Sequence, residues 1–471
     1  MKNLITLAAL LLCVGCLSLT ALADGSEDLW KGSLDVNGTK IRVVFHIGKA
    51  ADGTYRGTLD SPDQNATGIP ITITTYNKAT LVIDIPAVSG NFEGKLTKGG
   101  MEAVGTWRQG PAELPLTLTK EHGVVANHRP QTPQPPFPYD TEDVTFDSKP
   151  DVKLAGTLTL PRNRAGRVPT VLLIAGSGPM NRNESVLNHQ LFLVLADYLT
   201  RRGFGVLRYD KRGIGKSTGS FATATSLDFA EDAEAGIAYL KNRKEVDRSK
   251  IGLIGHSEGG LIAPLIAGRN KDVAFIVMMA GPGMIGEQIL SRQGALITKA
   301  NGGTEEAVAT ERRTQERMFA VAKEEKDPAA AKLRMRALMD TLWSGLTDAE
   351  RTALKSKDLI YAQGTAILSP WMRFFLTYDP VPALQKVTCP VLALDGSKDL
   401  QVPAMEDLSA IAAALKAGGN TDYTTTELPN LNHLFQTCTT GSPNEYNNIE
   451  ETMAPIALKT MGDWIAAHTK K

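Results

Sequence analysis

Ile251-Gly252-Leu253-Ile254-Gly255-His256-Ser257-Glu258-Gly259-Gly260-Leu261-Ile262-Ala263 joins two patterns at one serine. The first residues form an apolar run of strand length, and Gly259 onward opens an apolar helix. A buried strand that turns abruptly into a helix forces the central residue onto a strained turn, with its side chain exposed. The sequence G-x-S-x-G at 255–259 fits that turn, because glycines on either side let the backbones approach closely. A second match, Gly215-Lys216-Ser217-Thr218-Gly219, has no apolar strand before it and no clear helix after it, so Ser217 reads as a structural loop residue. The same segment fails as a phosphate loop, since G-x-x-x-x-G-K-[ST] requires glycine at 210, where Asp210 stands.

A serine hydroxyl at such a turn becomes a nucleophile only when a base takes its proton. Of seven histidines, His433 occupies the place for that base, in the loop Asn430-Leu431-Asn432-His433-Leu434 after the last predicted strand. His256 lies in the turn itself, where its ring is expected to face away, and His468 stands near the end. The orienting acid should leave the strand before, and Asp399 in Asp395-Gly396-Ser397-Lys398-Asp399 has that position. Asp395 is its rival, otherwise a turn-capping carboxylate. Attack on a carbonyl needs two N–H donors for the oxyanion. Glu258, directly after the nucleophile, is one candidate; Ser177, in the loop Gly176-Ser177-Gly178-Pro179 after an apolar strand at 170–175, is the other.

Around these motifs, residues 141–471 alternate strands and helices: helices at 188–202, 226–243, 258–269, 404–417 and 450–467, and strands at 204–209, 250–254, 273–280, 390–395 and 422–428, after a hairpin at 144–160. Repeated βα units predict a mostly parallel sheet covered on both faces. A polar helical block at about 284–380 interrupts them in the position of a cap. Five prolines between Pro130 and Pro138 predict a stiff spacer, placed at 123–140. Residues 24–122 show period-two patterns, such as Ile41, Val43, Phe45 and Ile47, and predict a small barrel or sandwich of about six to eight strands.

Lys plus Arg and Asp plus Glu both number 51 in this chain of 471 residues. Without a basic excess a nucleic-acid partner is not expected. Beyond the first thirty residues nothing is apolar enough for a bilayer span. Lys2, the apolar run Leu4–Leu19 and Ala21-Leu22-Ala23 predict a signal peptide cut after Ala23, hence a periplasmic or secreted protein. Gly15-Cys16 offers a lipoprotein alternative. The leader takes Cys13 and Cys16, leaving Cys389 and Cys438 either bridged or as separate thiols.

Taken together, Gly-Ser-Gly-Pro at 176–179, Arg208-Tyr209-Asp210-Lys211-Arg212-Gly213-Ile214-Gly215, the turn at 255–260, Asp399 and His433 resemble the α/β-hydrolase superfamily over about 140–471. The turn is similar to that of secreted bacterial esterases grouped with serine-aminopeptidase-like hydrolases. Ser61-Pro62-Asp63-Gln64 and Gly105-Thr106-Trp107 resemble a β-barrel domain appended to such enzymes. The resemblance implies an α/β-hydrolase fold with an eight-stranded sheet and a helical cap. One departure is Ala175 before Gly176, where many relatives carry histidine.

These readings converge on a serine hydrolase, a carboxylesterase for small to medium acyl esters, with Ser257, Asp399 and His433 as its triad and no metal or organic cofactor required. A peptidase or amidase using the same triad is the alternative. A binding protein on a decayed hydrolase fold is a third, against which the intact triad argues.

Overall fold

The structure, a computed structural model, describes residues 28–470 apart from 37–38, 50–53, 62–65, 111, 122–128, 347–350 and 352–356. The segment expected to be a signal peptide lies outside the described residues. The chain divides into two compact units between residues 128 and 129.

The first unit is a closed antiparallel barrel of eight strands: β1 (Asp28–Val36), β2 (Thr39–Lys49), β3 (Tyr55–Ser61), β4 (Ala66–Tyr76), β5 (Thr80–Ile85), β6 (Gly90–Thr97), β7 (Glu102–Gln109) and β8 (Ala112–Glu121). Closure pairs β1 with β8 and so removes the exposed edges an open sheet would carry. The inward positions of the period-two pattern fill the interior with Trp30, Phe45, Ile47, Leu81, Ile83, Phe92 and Leu118, all fully buried. This is a packed core of side chains.

The second unit begins with a segment tied to its own fold. The Arg129 guanidinium donates to the carbonyls of Ile449 and Leu187, and the Gln131 carboxamide brackets Thr452 and Met453. The residues expected to act as a stiff spacer thus start as a docked strap.

A hairpin, β9 (Tyr139–Lys149) and β10 (Val152–Pro161), leads into β11 (Val168–Ile174). A two-stranded ribbon, β12 (Ser185–Val186) and β13 (His189–Gln190), precedes β14 (Gly205–Tyr209), β15 (Val246–His256), β16 (Phe275–Met279), β17 (Val391–Gly396) and β18 (Tyr423–Leu428). The large sheet has the order β18-β17-β16-β15-β11-β14-β10-β9, parallel except for the hairpin at its start. Its central strands carry apolar runs because both faces are covered. On β11, Leu172 and Ile174 join one core while Val171 and Leu173 join the other. Helices Ser226–Lys241, Glu258–Ala267 and Ala404–Ala417 cover the first face; Leu191–Arg201 and Pro455–Thr469 cover the second. The fold is that of an α/β hydrolase.

The last helix begins later than the periodicity predicts, at Pro455 instead of 450. Thr452, Met453 and Ala454 give their N–H groups to Gln131 and to the Phe435 carbonyl, and proline at the first helical position starts the helix after them. Between β16 and β17 the helices Gly286–Ala300, Glu305–Glu324, Pro328–Ser344, Lys357–Ile367 and Pro370–Thr377 form the expected cap. Thr304 and Asp327 cap two of them through their side chains. Met318, Phe319, Ala331 and Met335 sit in the buried stripe of otherwise polar helices.

Candidate active site

Ser257, directly after β15, has φ 52° and ψ −116°, a left-handed conformation that L-residues rarely adopt. The turn tolerates it only because its neighbours lack side chains. A Cβ on Gly255 would lie 1.9 Å from the Gly259 carbonyl oxygen, and one on Gly259 would lie 1.9 Å from that of Ile174. The Ser257 N–H is anchored to the Met279 carbonyl at 2.8 Å. Strain at Ser257 is thus imposed by β15, β16 and the departing helix together.

His433 Nδ1 lies 2.6 Å from Asp399 Oδ2, and both residues are buried. Asp399 Oδ1 accepts the N–H groups of Gln401 and Val402 at 2.7 and 2.9 Å, which fixes the carboxylate plane. Burial alone raises its pKa, but the facing His433 outweighs this and holds it below the usual carboxylate range. Asp395 accepts its own neighbour's N–H at Gly396. Burial and the nearby Asp399 charge push it well above the ordinary value, so of the two acids it holds a proton the more readily. The geometry gives His433 to Asp399.

The ring of His433 stands 4.9 Å, centroid to centroid, from that of His256, the residue before Ser257. Among the described residues, neither the Ser257 hydroxyl nor His433 Nε2 has a hydrogen-bond partner, each other included. Such bonds tighten in many enzymes only when substrate is bound.

A cavity of about 70 Å³ opens beside Ser257. Ser177 and Glu258 share its wall with Ser257, and among the described residues neither backbone N–H is engaged. Glu258 opens a helix, whose first N–H groups have no partner of their own. The remaining wall is Pro282, Ile289, Leu290, Met372, Phe375 and Val402, with Trp371 stacked on Phe375 and two glutamines, Gln293 and Gln401. Glu258 is the one ionisable residue in that lining, and its carboxylate is spoken for by Lys211, Ser226 and Trp371.

Sequence reasoning missed the partners beneath the site. His256 does not simply face away: its ring lies 2.9 Å from Glu184 Oε1 and 2.9 Å from the His433 carbonyl. Burial lowers its pKa, and the Glu184 charge more than reverses this, leaving it raised. Lys211, from the quoted Arg208–Gly215 stretch, pairs with Glu258 at 2.8 Å. Unpaired, neither charge could be buried at tolerable cost. Ser217, the second G-x-S-x-G serine, is buried far from such chemistry, bonded to the backbones of Asp210 and Ala155. Cys389 and Cys438 are free thiols, and burial pushes Cys389 up to about 11.

The chain is 32% identical over 158 residues to Esterase EstD of Thermotoga maritima, covering 34% of this chain and 36% of that protein. It is 26% identical over 177 residues to the uncharacterized protein YfhR of Escherichia coli, covering 36% and 58%. The chain therefore spans between about a third and three-fifths of these curated relatives' lengths. Among solved structures, the Pyrococcus furiosus esterase Pf2001 aligns at TM-score 0.42 and 16% identity, over 73% of this chain and 97% of that one. The hypothetical protein PA2218 of Pseudomonas aeruginosa aligns at 0.45 and 17%, over 74% and 98%. The pattern of the family described as "Serine aminopeptidase, S33" matches residues 188–437, just over half of the chain and the span that contains the strained serine, the acid and the histidine. The chain belongs to that family of α/β hydrolases.

Proposed function

We propose that the protein is a serine carboxylesterase acting on small to medium acyl esters. In this reading His433 takes the Ser257 proton as Oγ attacks the ester carbonyl. Asp399 stabilises the imidazolium that results. The N–H groups of Ser177 and Glu258 hold the oxyanion, and the alcohol leaves with the proton from His433. Water then repeats the sequence on the acyl-enzyme and frees the acid.

The observation that carries the reading is the 2.6 Å contact of His433 with Asp399, with the His433 ring 4.9 Å from that of His256, the residue before a serine held in a strained turn. Substrate polarity follows from the cavity. An aminopeptidase must neutralise an α-ammonium group, yet the sole carboxylate in the lining is already paired with Lys211. A mostly apolar, uncharged wall suits a neutral ester. The name of EstD supports the same choice, whereas the family description favours an aminopeptidase.

Comparing p-nitrophenyl butyrate with aminoacyl-p-nitroanilides separates the two. Ester turnover should dominate and vanish in Ser257→Ala; preferential anilide cleavage would reverse the assignment. The predicted leader supports action in the periplasm or outside the cell.

A further inference from the structure

The residues on either side of Ser257, His256 and Glu258, each pair with a buried group of opposite kind, Glu184 and Lys211, and both pairs grip Gly176. From one side, Glu184 Oε1 accepts the Gly176 N–H at 2.6 Å while also facing His256. From the other, Lys211 Nζ donates to the Gly176 carbonyl at 2.6 Å and to Glu258 at 2.8 Å. Its remaining face lies 4.3 Å from the ring centre of Phe229. Lys211, Glu184, His256 and Glu258 are all buried.

The Gly176 carbonyl and the Ser177 N–H belong to one peptide. A trans peptide is planar, so its C=O and N–H point in opposite directions. A cation fixed on that oxygen therefore turns the Ser177 N–H the other way. It also polarises the peptide and makes the N–H a stronger donor. We propose that Lys211 and Glu184 are positioning residues of the oxyanion hole, orienting the Ser177 peptide against Ser257 from beneath. The proposal rests on the esterase reading above. Glu258 then serves twice, giving its own N–H and, through its carboxylate, anchoring the lysine that aims the second donor. A hole misaligned by a fraction of an ångström binds substrate as before and loses only transition-state stabilisation.

Four variants of the full chain test this: Lys211→Met, the charge-balanced pair Lys211→Met with Glu258→Gln, Glu184→Ala, and Glu184→Gln. The readouts are kcat and KM for p-nitrophenyl butyrate and the affinity of a short alkyl trifluoromethyl ketone, which forms a reversible hemiketal with an active serine. Removing one oxyanion donor costs roughly 100- to 1000-fold in kcat. We expect a 30- to 300-fold fall in kcat for the charge-balanced pair, KM within about threefold, and a parallel loss of ketone affinity. Glu184→Ala should behave alike, whereas Glu184→Gln, whose amide oxygen still accepts the Gly176 N–H, should recover to within about fivefold of wild type. Lys211→Met alone strands the Glu258 charge and can unfold the protein, and the paired substitution removes that ambiguity. A folded charge-balanced pair with kcat within threefold of wild type overturns the proposal, as does a fall in kcat with unchanged ketone affinity. Undiminished ester turnover by Ser257→Ala would instead overturn the reading of the site, and this proposal with it.

Discussion

The indole N–H of Trp371, on the cap helix Pro370–Thr377, donates to Glu258 Oε1 at 2.5 Å. Cap and nucleophile turn are thereby joined by a single charge-assisted bond, across which the cavity wall is completed by Trp371 stacked on Phe375. Glu258 Oε1 also accepts the Ser226 hydroxyl and Oε2 accepts Lys211, so both oxygens of the buried carboxylate are satisfied. A hydrogen bond to a charged group contributes about 1.5–3 kcal/mol, enough to hold one cap position without locking it.

Trp371→Phe keeps an aromatic ring against Phe375 and removes the donor. KM for p-nitrophenyl butyrate should rise about 3- to 10-fold and the preference among acyl-chain lengths should broaden, with the thermal midpoint lowered by about a few degrees. An acyl-chain series on wild type and variant measures both effects. Unaltered chain-length selectivity would deny the cap bond a part in shaping the cavity.

The two acids beside β17 should respond very differently to amide substitution. Asp399→Asn should lower kcat about 10⁴-fold, by presenting the wrong tautomer of His433. Asp395, whose pKa burial and the Asp399 charge both raise, should tolerate Asn with less than about tenfold loss. Steady-state kinetics on the two variants decides between them, and an inverted result would give the orienting role to Asp395.

Asp407 makes stability depend on pH. Its carboxylate accepts the N–H groups of Gly283 and Met284, where the chain enters the cap, and burial together with the charges of Asp399 and Glu406 pushes its pKa from 3.8 up to about 7. Below pH 4 the group is protonated in both folded and unfolded chains and contributes no slope. Between about pH 4 and 7 the folded state retains a proton that the unfolded state has lost, so stability falls as pH rises, by on the order of 4 kcal/mol at most. Above pH 7 the penalty is complete. Asp407→Asn should flatten this part of a urea-denaturation pH series, and an unchanged slope would assign it to other groups.

Export offers a chemical check on the leader. Cleavage after Ala23 gives a mature N-terminus at Asp24, whereas lipoprotein processing gives an acylated Cys16. Intact mass and N-terminal sequencing of the exported protein distinguish them, with Asp24 the expected start.

Local pattern made much of this legible. The turn at 255–259 announced itself because strand, glycines and helix are contiguous, and strain there is a property of neighbours in sequence. The strands β11, β16 and β17 and the end of β15 showed as apolar runs because a sheet covered on both faces favours them. Period-two alternation marked the barrel strands, but whether they closed depended on β1 meeting β8, which no local pattern records. Loop position in the sequence favours Asp399 over Asp395, but which carboxylate faces His433 is a matter of tertiary geometry, since the two lie within five residues of one another at the end of one strand.

By itself, then, the sequence determined which elements form and which serine sits at a turn that only glycine neighbours permit. Tertiary structure alone decided the company those residues keep. Glu184 stands 72 positions from His256, Lys211 47 from Glu258, and Trp371 113 from Glu258. The physical reason is that strand and helix patterns arise from hydrophobic periodicity over a few residues, whereas buried charges are tolerated only where distant segments fold a partner onto them.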